Sequence, residues 1–194
     1  MSKQTRMERV RAEREKLIIA AARELAEAEG WEAVTTRRLA ERVEYSQPVL
    51  YSHFKGKDAI VAAVAVEGFA DMAGELRAAR TEAVDAAGAL AGVAQAYTSF
   101  AGWRPALYDA MFHQRVDLPF ADPEAPRELW AAYGELEEAV RPFADEEEEL
   151  GLLVETFWAA LHGLATLMRA GRLPSDGHDR RLALLLSRFT AKYP

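Results

Sequence analysis

The chain has 194 residues, half of them hydrophobic, and a formal net charge of −7, enough for one domain or two small ones around a buried core. The lack of cysteine excludes a disulfide framework and a thiolate metal site. No charge-free apolar run of about 18 residues suggests a membrane span, and the charged start MSKQTRMERVRAEREKL lacks the apolar segment of a secretory signal, so a cytoplasmic protein is expected.

The charge is unevenly spread. Residues 1–57 carry 12 Lys and Arg against 9 Asp and Glu, a balance of +3, whereas residues 58–194 carry 12 against 22, a balance of −10. This fits a basic nucleic-acid-binding module joined to a different one, and equally fits ordinary surface variation. The chain reads as helix almost throughout, without alternating β-branched runs between turn dipeptides.

The first helix is predicted from about Arg9 to Glu29, with Leu17, Ala21, Leu25 and Ala28 as its apolar stripe and Gly30 as its stop. A second starts after Thr35 or Thr36, whose hydroxyl can cap free backbone N–H groups. Leu39, Ala40 and Val43 turn inward; Arg37, Arg38, Glu41 and Arg42 turn outward. After the turn Glu44–Tyr45–Ser46, Ser46 can cap a third helix, with Pro48 in its first turn, where a missing N–H costs nothing. At about 100° per residue, Leu50 and Phe54 share one face and pack on Leu39 and Val43. Pro48, Val49 and Ser52 point away, flanked by Gln47 and Tyr51 on one side and His53 on the other. Two short helices joined by a tight turn describe a helix-turn-helix, whose second helix fits the major groove of B-DNA.

The stretch TTRRLAERVEYSQPVLYSHFKGKDAI resembles the DNA-binding segment of the TetR (tetracycline repressor) family of bacterial transcription regulators. The resemblance rests on Thr35, Leu39, Ala40, Ser46, Leu50, Tyr51, His53, Phe54, Lys57 and Asp58. The family's turn usually has a glycine where this chain has Glu44, and commonly a small apolar residue where it has Tyr45. A positive φ at Glu44 carries a steric cost.

Chemistry assigns roles within this segment. Gln47 can pair in bidentate fashion with adenine, and Pro48 and Val49 can touch a thymine methyl. Arg37 can reach a guanine or a phosphate. Thr36, Tyr51, His53 and Lys57 are placed to hold phosphates, with Lys55 as a possible addition, and such contacts fix register without reading sequence. Tyr51 and His53 have an alternative, packing against the first helix. Arg6, Arg9, Arg11 and Arg14 are either a flexible arm on DNA or, since they alternate with glutamates, a solvated helix face; the second reading is preferred.

After Lys57 a helix of small apolar residues links the reading segment to the rest. The resemblance implies that its shifts change the spacing of two reading heads. One helix is then expected to about Gly102 and another after Pro105. Pro119, Pro123 and Pro126 mark a loop. A further helix spans about Arg127 to Phe143, and Glu146 to Glu149 form the solvated first turn of the next. From Leu150 to Ala170 that helix is apolar on nearly every face and must be buried on all sides, one of them against a second subunit. Residues 178–191 add Leu182, Leu185, Leu186 and Phe189 at helical spacing. Two such helices from each of two chains make a four-helix bundle, the dimer contact the resemblance implies. Trp158, His162 and Gly163 also resemble a C-terminal subtype of the family marked by Trp, His and Gly.

No nucleophile elbow, phosphate-cradling glycine loop or His-Glu metal helix is present. The chain is therefore expected to be all-α and not an enzyme, with no cofactor and no metal. Residues 1–57 form the helix-turn-helix domain, and residues 58–194 the effector-binding and dimerisation domain. The expected partners are a second copy, double-stranded DNA carrying an inverted repeat, and a small apolar effector that releases a repressor; no membrane is expected. The many aromatic residues between 90 and 170 suggest a pocket there, with Trp103, Tyr108, Phe112, Trp158 and His162 as ligand-binding candidates. The alternatives are response to a protein partner, response to no ligand, or a helical enzyme of unfamiliar type.

Overall fold

The computed structural model describes residues 3–116, 118–120 and 122–191, with side chains from residue 6. The described residues form nine α-helices and three short 3-10 turns, with no strand. They gather into two compact units. One comprises the residues up to Gly68 together with Ala106–Glu124; the other comprises Phe69–Pro105 and the residues from Ala125 onward.

The first unit opens with α1 (Lys3–Glu29), which starts six residues earlier than the apolar pattern suggests. Pairs one turn apart, Arg9–Glu13 and Arg11–Glu15, support the polar turns that follow this extension. The buried face of α1 is Ile18, Ala22, Leu25 and Ala26, flanked by Ile19 and Ala21, whereas Leu17 and Ala28 are exposed. The expected stripe is thus rotated. Leu17 and Ala28 lie roughly 100° from the centre of the buried face at the helical period. Gly30 ends α1 with φ 84°, a conformation that suits a residue without Cβ. After a 3-10 turn at Trp31–Ala33, Thr35 caps α2 (Thr36–Arg42), its hydroxyl accepting from Arg38 N.

Glu44 then turns the chain with φ 56°, the only non-glycine residue at positive φ among those described. That conformation costs an L-residue about 1–2 kcal/mol relative to glycine. α3 (Gln47–His53) follows, with Pro48 in its first turn. Ser46 occupies the N-cap position, but its hydroxyl makes no capping bond. The side chain is exposed, so water can serve the free amides instead. Leu50 is fully buried beside Leu39, while Val43 and Phe54 are half-buried. α6 (Pro105–Phe112) completes this unit. The Glu27 carboxylate of α1 accepts from the amides of Ala106 and Leu107, and Trp31 Nε1 donates to Ala106 O. α4 (Lys57–Glu82) begins here. A Cβ on its Gly68 would lie 2.7 Å from Met111 Sδ, so the Met111 and Leu107 side chains of α6 pack directly over Gly68. The expected proline-marked loop has no helix or strand at its described positions; Asp117 and Ala121 lie outside the described residues.

The second unit contains the end of α4, α5 (Ala86–Trp103), α7 (Arg127–Val140), α8 (Glu147–Arg169) and α9 (His178–Thr190). Asp85 caps α5 by accepting from Gly88 N at 2.7 Å. α7 tightens into a 3-10 turn at Arg141–Phe143, where Pro142 cannot supply the next helical N–H. Glu147, Glu148 and Glu149 fall in the first turn of α8. α5 packs on α7, α8 and α9, and α7 on α8. Their core contains Leu90, Tyr97, Phe100, Leu136, Val154, Phe157 and Leu161. By length and composition α8 would also suit a membrane, but Val154, Phe157, Leu161 and Ala165 on it are buried within the chain. On other faces of α8 and α9, Leu152, Leu167 and Leu184 are exposed.

Candidate nucleic-acid interface

In the first unit, Leu50 anchors α3 and the residues on either side of it reach outward. Gln47 and Pro48 are exposed and Val49 is half-buried. None of these three side chains carries charge, so the outward edge can offer an amide and apolar atoms to base edges. Ser52 Oγ is turned back onto Val49 O at 2.6 Å.

Around this edge lie the residues expected to meet phosphates. Tyr51 is 51% exposed, and its hydroxyl is 3.4 Å from Thr36 Oγ1, so α2 and α3 present two hydroxyls side by side. Arg37 is exposed and pairs with Glu41 one turn on at 3.0 Å, an exposed pair of little energetic weight. Lys55 is exposed. Lys57, half-buried, donates to the Trp31 carbonyl at 2.5 Å, which ties the start of α4 to the turn after α1.

His53 turns the other way. Its side chain is only 6% exposed, with Nδ1 3.2 Å from Glu15 Oε1. A carboxylate can only accept, so Nδ1 carries the proton of this bond. Arg11 Nε donates to the same oxygen at 2.8 Å, and another of its nitrogens lies 3.4 Å from Ser52 O. Burial pushes the Glu15 carboxyl up, but hydrogen bonds and charge from His53 and Arg11 outweigh it and hold the group below its usual range. The sequence reading missed Glu15 as a partner of α3, because nothing local in α1 points to a residue 38 positions away.

In the second unit, Trp158 and His162 lie one turn apart on α8. Trp158 Nε1 donates to the buried Tyr97 hydroxyl at 2.9 Å, and His162 Nδ1 is 3.4 Å from the same oxygen. His162 Nε2 lies 3.4 Å from Thr166 Oγ1. Trp103, at the end of α5, is 85% exposed. Tyr108 and Phe112 belong to α6 in the first unit, their rings 4.7 Å apart. Glu135, also missed, is 6% exposed on α7 and accepts from Arg77 at 2.6 Å and from Arg80 at 2.9 Å, both on α4. A carboxylate beside the stripe of Leu129, Ala132, Leu136 and Ala139 was its sequence signal.

Two short helices around a tight turn, the second held by one buried leucine and open along a polar edge, define a helix-turn-helix DNA-binding protein. Two family models match: bacterial regulatory proteins, tetR family, over residues 18–64, and tetracyclin repressor-like, C-terminal domain, over residues 90–189. The chain belongs to the tetR family of bacterial regulatory proteins. The family's members bind DNA operators as dimers and bind small-molecule effectors.

The chain is 33% identical over 96 residues to the HTH-type transcriptional regulator YobS of Bacillus subtilis, a match covering 50% of each chain. It therefore spans about half the length of that relative. A protein of unknown function from Rhodococcus sp. RHA1 superposes with a TM-score of 0.72 at 23% identity, covering 91% of this chain and 93% of that one. A TetR variant from Acinetobacter baumannii in complex with minocycline superposes at 0.63 and 21% identity, covering 89% and 92%. At these identities the structural likeness establishes the fold.

Proposed function

We propose that the chain is a homodimeric, cytoplasmic repressor that reads an inverted repeat through α3 and is released by a small apolar molecule. The observation that carries the reading is the outward edge of exposed Gln47 and Pro48 and half-buried Val49 on a helix whose Leu50 is fully buried. Gln47 reads an adenine, and Pro48 and Val49 meet thymine methyls. Thr36, Arg37, Tyr51 and Lys57 hold phosphates, with Lys57 Nζ exchanging the Trp31 carbonyl for a phosphate oxygen. His53, bonded to Glu15, serves by fixing the end of α3; a phosphate contact from His53 requires that bond to open. Residues 1–57 supply the reading, and residues 58–194 dimerise and hold the effector.

The second copy is assigned to α8 and α9. Ala159, Ala160, Gly163, Leu164, Leu184 and Leu185 line an apolar groove between them, with Leu184 61% exposed. A two-fold dimer carries two reading helices, so its site repeats with the same symmetry. The effector reading is supported by the Tyr97, Trp158 and His162 group, where a buried hydroxyl meets two ring nitrogens of the kind that orient a guest, and by the minocycline held by the Acinetobacter relative. A ligand shifts DNA release only by its differential affinity for two states of the protein.

The experiment is a mobility shift with the DNA upstream of the protein's own gene, repeated with a panel of apolar compounds that quench tryptophan fluorescence. Wild type should bind, and one class of compound should release it. Trp158→Ala and His162→Ala should bind DNA but respond weakly. If no compound both binds and releases DNA, the effector half of the reading fails.

A further inference from the structure

The arginines of the first turns of α1 have no role in the function above, and the structure divides them. Arg9 and Arg11 pair with Glu13 and Glu15 at 3.7 and 2.8 Å. Arg6 and Arg14 have no carboxylate partner among the described residues. Arg14 instead lies over the ring of Tyr45, 5.8 Å from its centroid. Tyr45 stands in the turn just ahead of α3.

Arg6 and Arg14 line one shallow surface groove with Met7, Val10, Arg11 and His53. His53 is the last residue of α3, so the groove begins where the reading helix ends. Its apolar floor is Met7 and Val10, both exposed. Arg11, 3.4 Å from Ser52 O, fastens this edge of α1 to the end of α3. Glu15, beside this groove, is already shared by Arg11 and His53. Arg6 and Arg14 are exposed and keep their charge available for an outside anion. Eight residues separate Arg6 from Arg14, about 12 Å of helix, over which one DNA strand presents about three phosphates.

The geometry points to a second phosphate-binding ledge: Arg6 and Arg14 hold the phosphodiester backbone of the operator flank, just outside the base pairs that α3 reads. This rests on α3 as the reading helix. The ledge adds affinity and a longer footprint without adding sequence preference, because phosphates look alike at every base pair. Tyr45, in the turn ahead of α3, positions Arg14 through the stack. The polar extension of α1 carries Arg6 out to the flank.

The test uses the full chain and two duplexes carrying the inverted repeat enriched from a random library by the wild type. One duplex is trimmed to the repeat, and the other extends ten base pairs beyond each end. Wild type should prefer the long duplex. Arg6→Ala with Arg14→Ala should lose that preference and lower the salt slope by about two per half-site, at about 0.9 per phosphate contact. The base preferences of the double variant should be unchanged. Arg14→Lys should recover part of the slope, because it keeps the charge. If the double variant matches wild type on both duplexes, the ledge is wrong while the reading helix stands. If wild type enriches no duplex, the reading helix and the ledge fall together.

Discussion

The two units of this chain solve opposite problems. The reading unit keeps few of its functional atoms inside. Leu50 holds α3 while Gln47 and Pro48 face solvent, and most of its ion pairs are exposed. The other unit buries polar groups: the Tyr97 hydroxyl, bonded by Trp158, and Glu135, paired with Arg77 and Arg80. It leaves an apolar strip of α8 and α9 open. A surface that must match DNA depends on local motif, whereas a surface that must match itself depends on which apolar side chains remain uncovered after folding.

The sharpest way to break this contrast lies on α8 and α9. Leu161 is fully buried and Leu184 is exposed, although the apolar pattern treats the two helices alike. Leu161→Glu puts a charge in the core and should cost at least about 4 kcal/mol, seen as unfolding by circular dichroism. Leu184→Glu should leave each chain folded, within about 0.5 kcal/mol, yet run as a monomer in sedimentation. A dimeric Leu184→Glu protein would move the self-matching surface elsewhere.

Glu135→Ala comes next. It leaves two arginines facing a vacated buried site and should cost about 2–3 kcal/mol, less than a fully enclosed pair because Arg77 is largely exposed. Denaturant titration reads this directly, and Arg77→Ala should cost much less than Glu135→Ala.

In the reading unit the effects are smaller. Glu44→Gly relieves the positive φ and should raise stability by about 1 kcal/mol, measured as a higher denaturant midpoint. Glu15 is the smallest case. Its carboxyl is held below the usual range by His53 and Arg11. A lowered folded value stabilises the fold above the ordinary carboxylate range, and that contribution disappears as pH falls through the lowered value. Glu15→Gln should therefore lower stability modestly at neutral pH and flatten the acid limb below about pH 4.5, so that the variant and wild type converge in acid.

These residues also explain what was legible beforehand. The helix-turn-helix could be read because its signals are local: Thr35 before α2, Pro48 inside α3, and Leu39 with Leu50 one helix apart. The positive φ at Glu44 was foreshadowed only by the resemblance, whose turn usually has a glycine there. The rotation of the α1 stripe was not, since Leu17 and Ile18 are equally apolar and only packing decides which turns inward. The partners of His53 and Glu135 lie 38 and more than 50 positions away, beyond any periodicity argument. Among the aromatic residues of 90–170, composition could not separate the exposed Trp103 from the buried Tyr97.

The central claim is that α3 reads bases through Gln47. It is tested most directly by measuring the affinity of wild type and Gln47→Ala for the enriched inverted repeat, its single-base variants and a random duplex. Gln47→Ala should lose about 1–3 kcal/mol at the repeat, with preference relaxed at one base pair of each half-site and binding to random DNA unchanged. An equal loss on the repeat and on random DNA would contradict the claim.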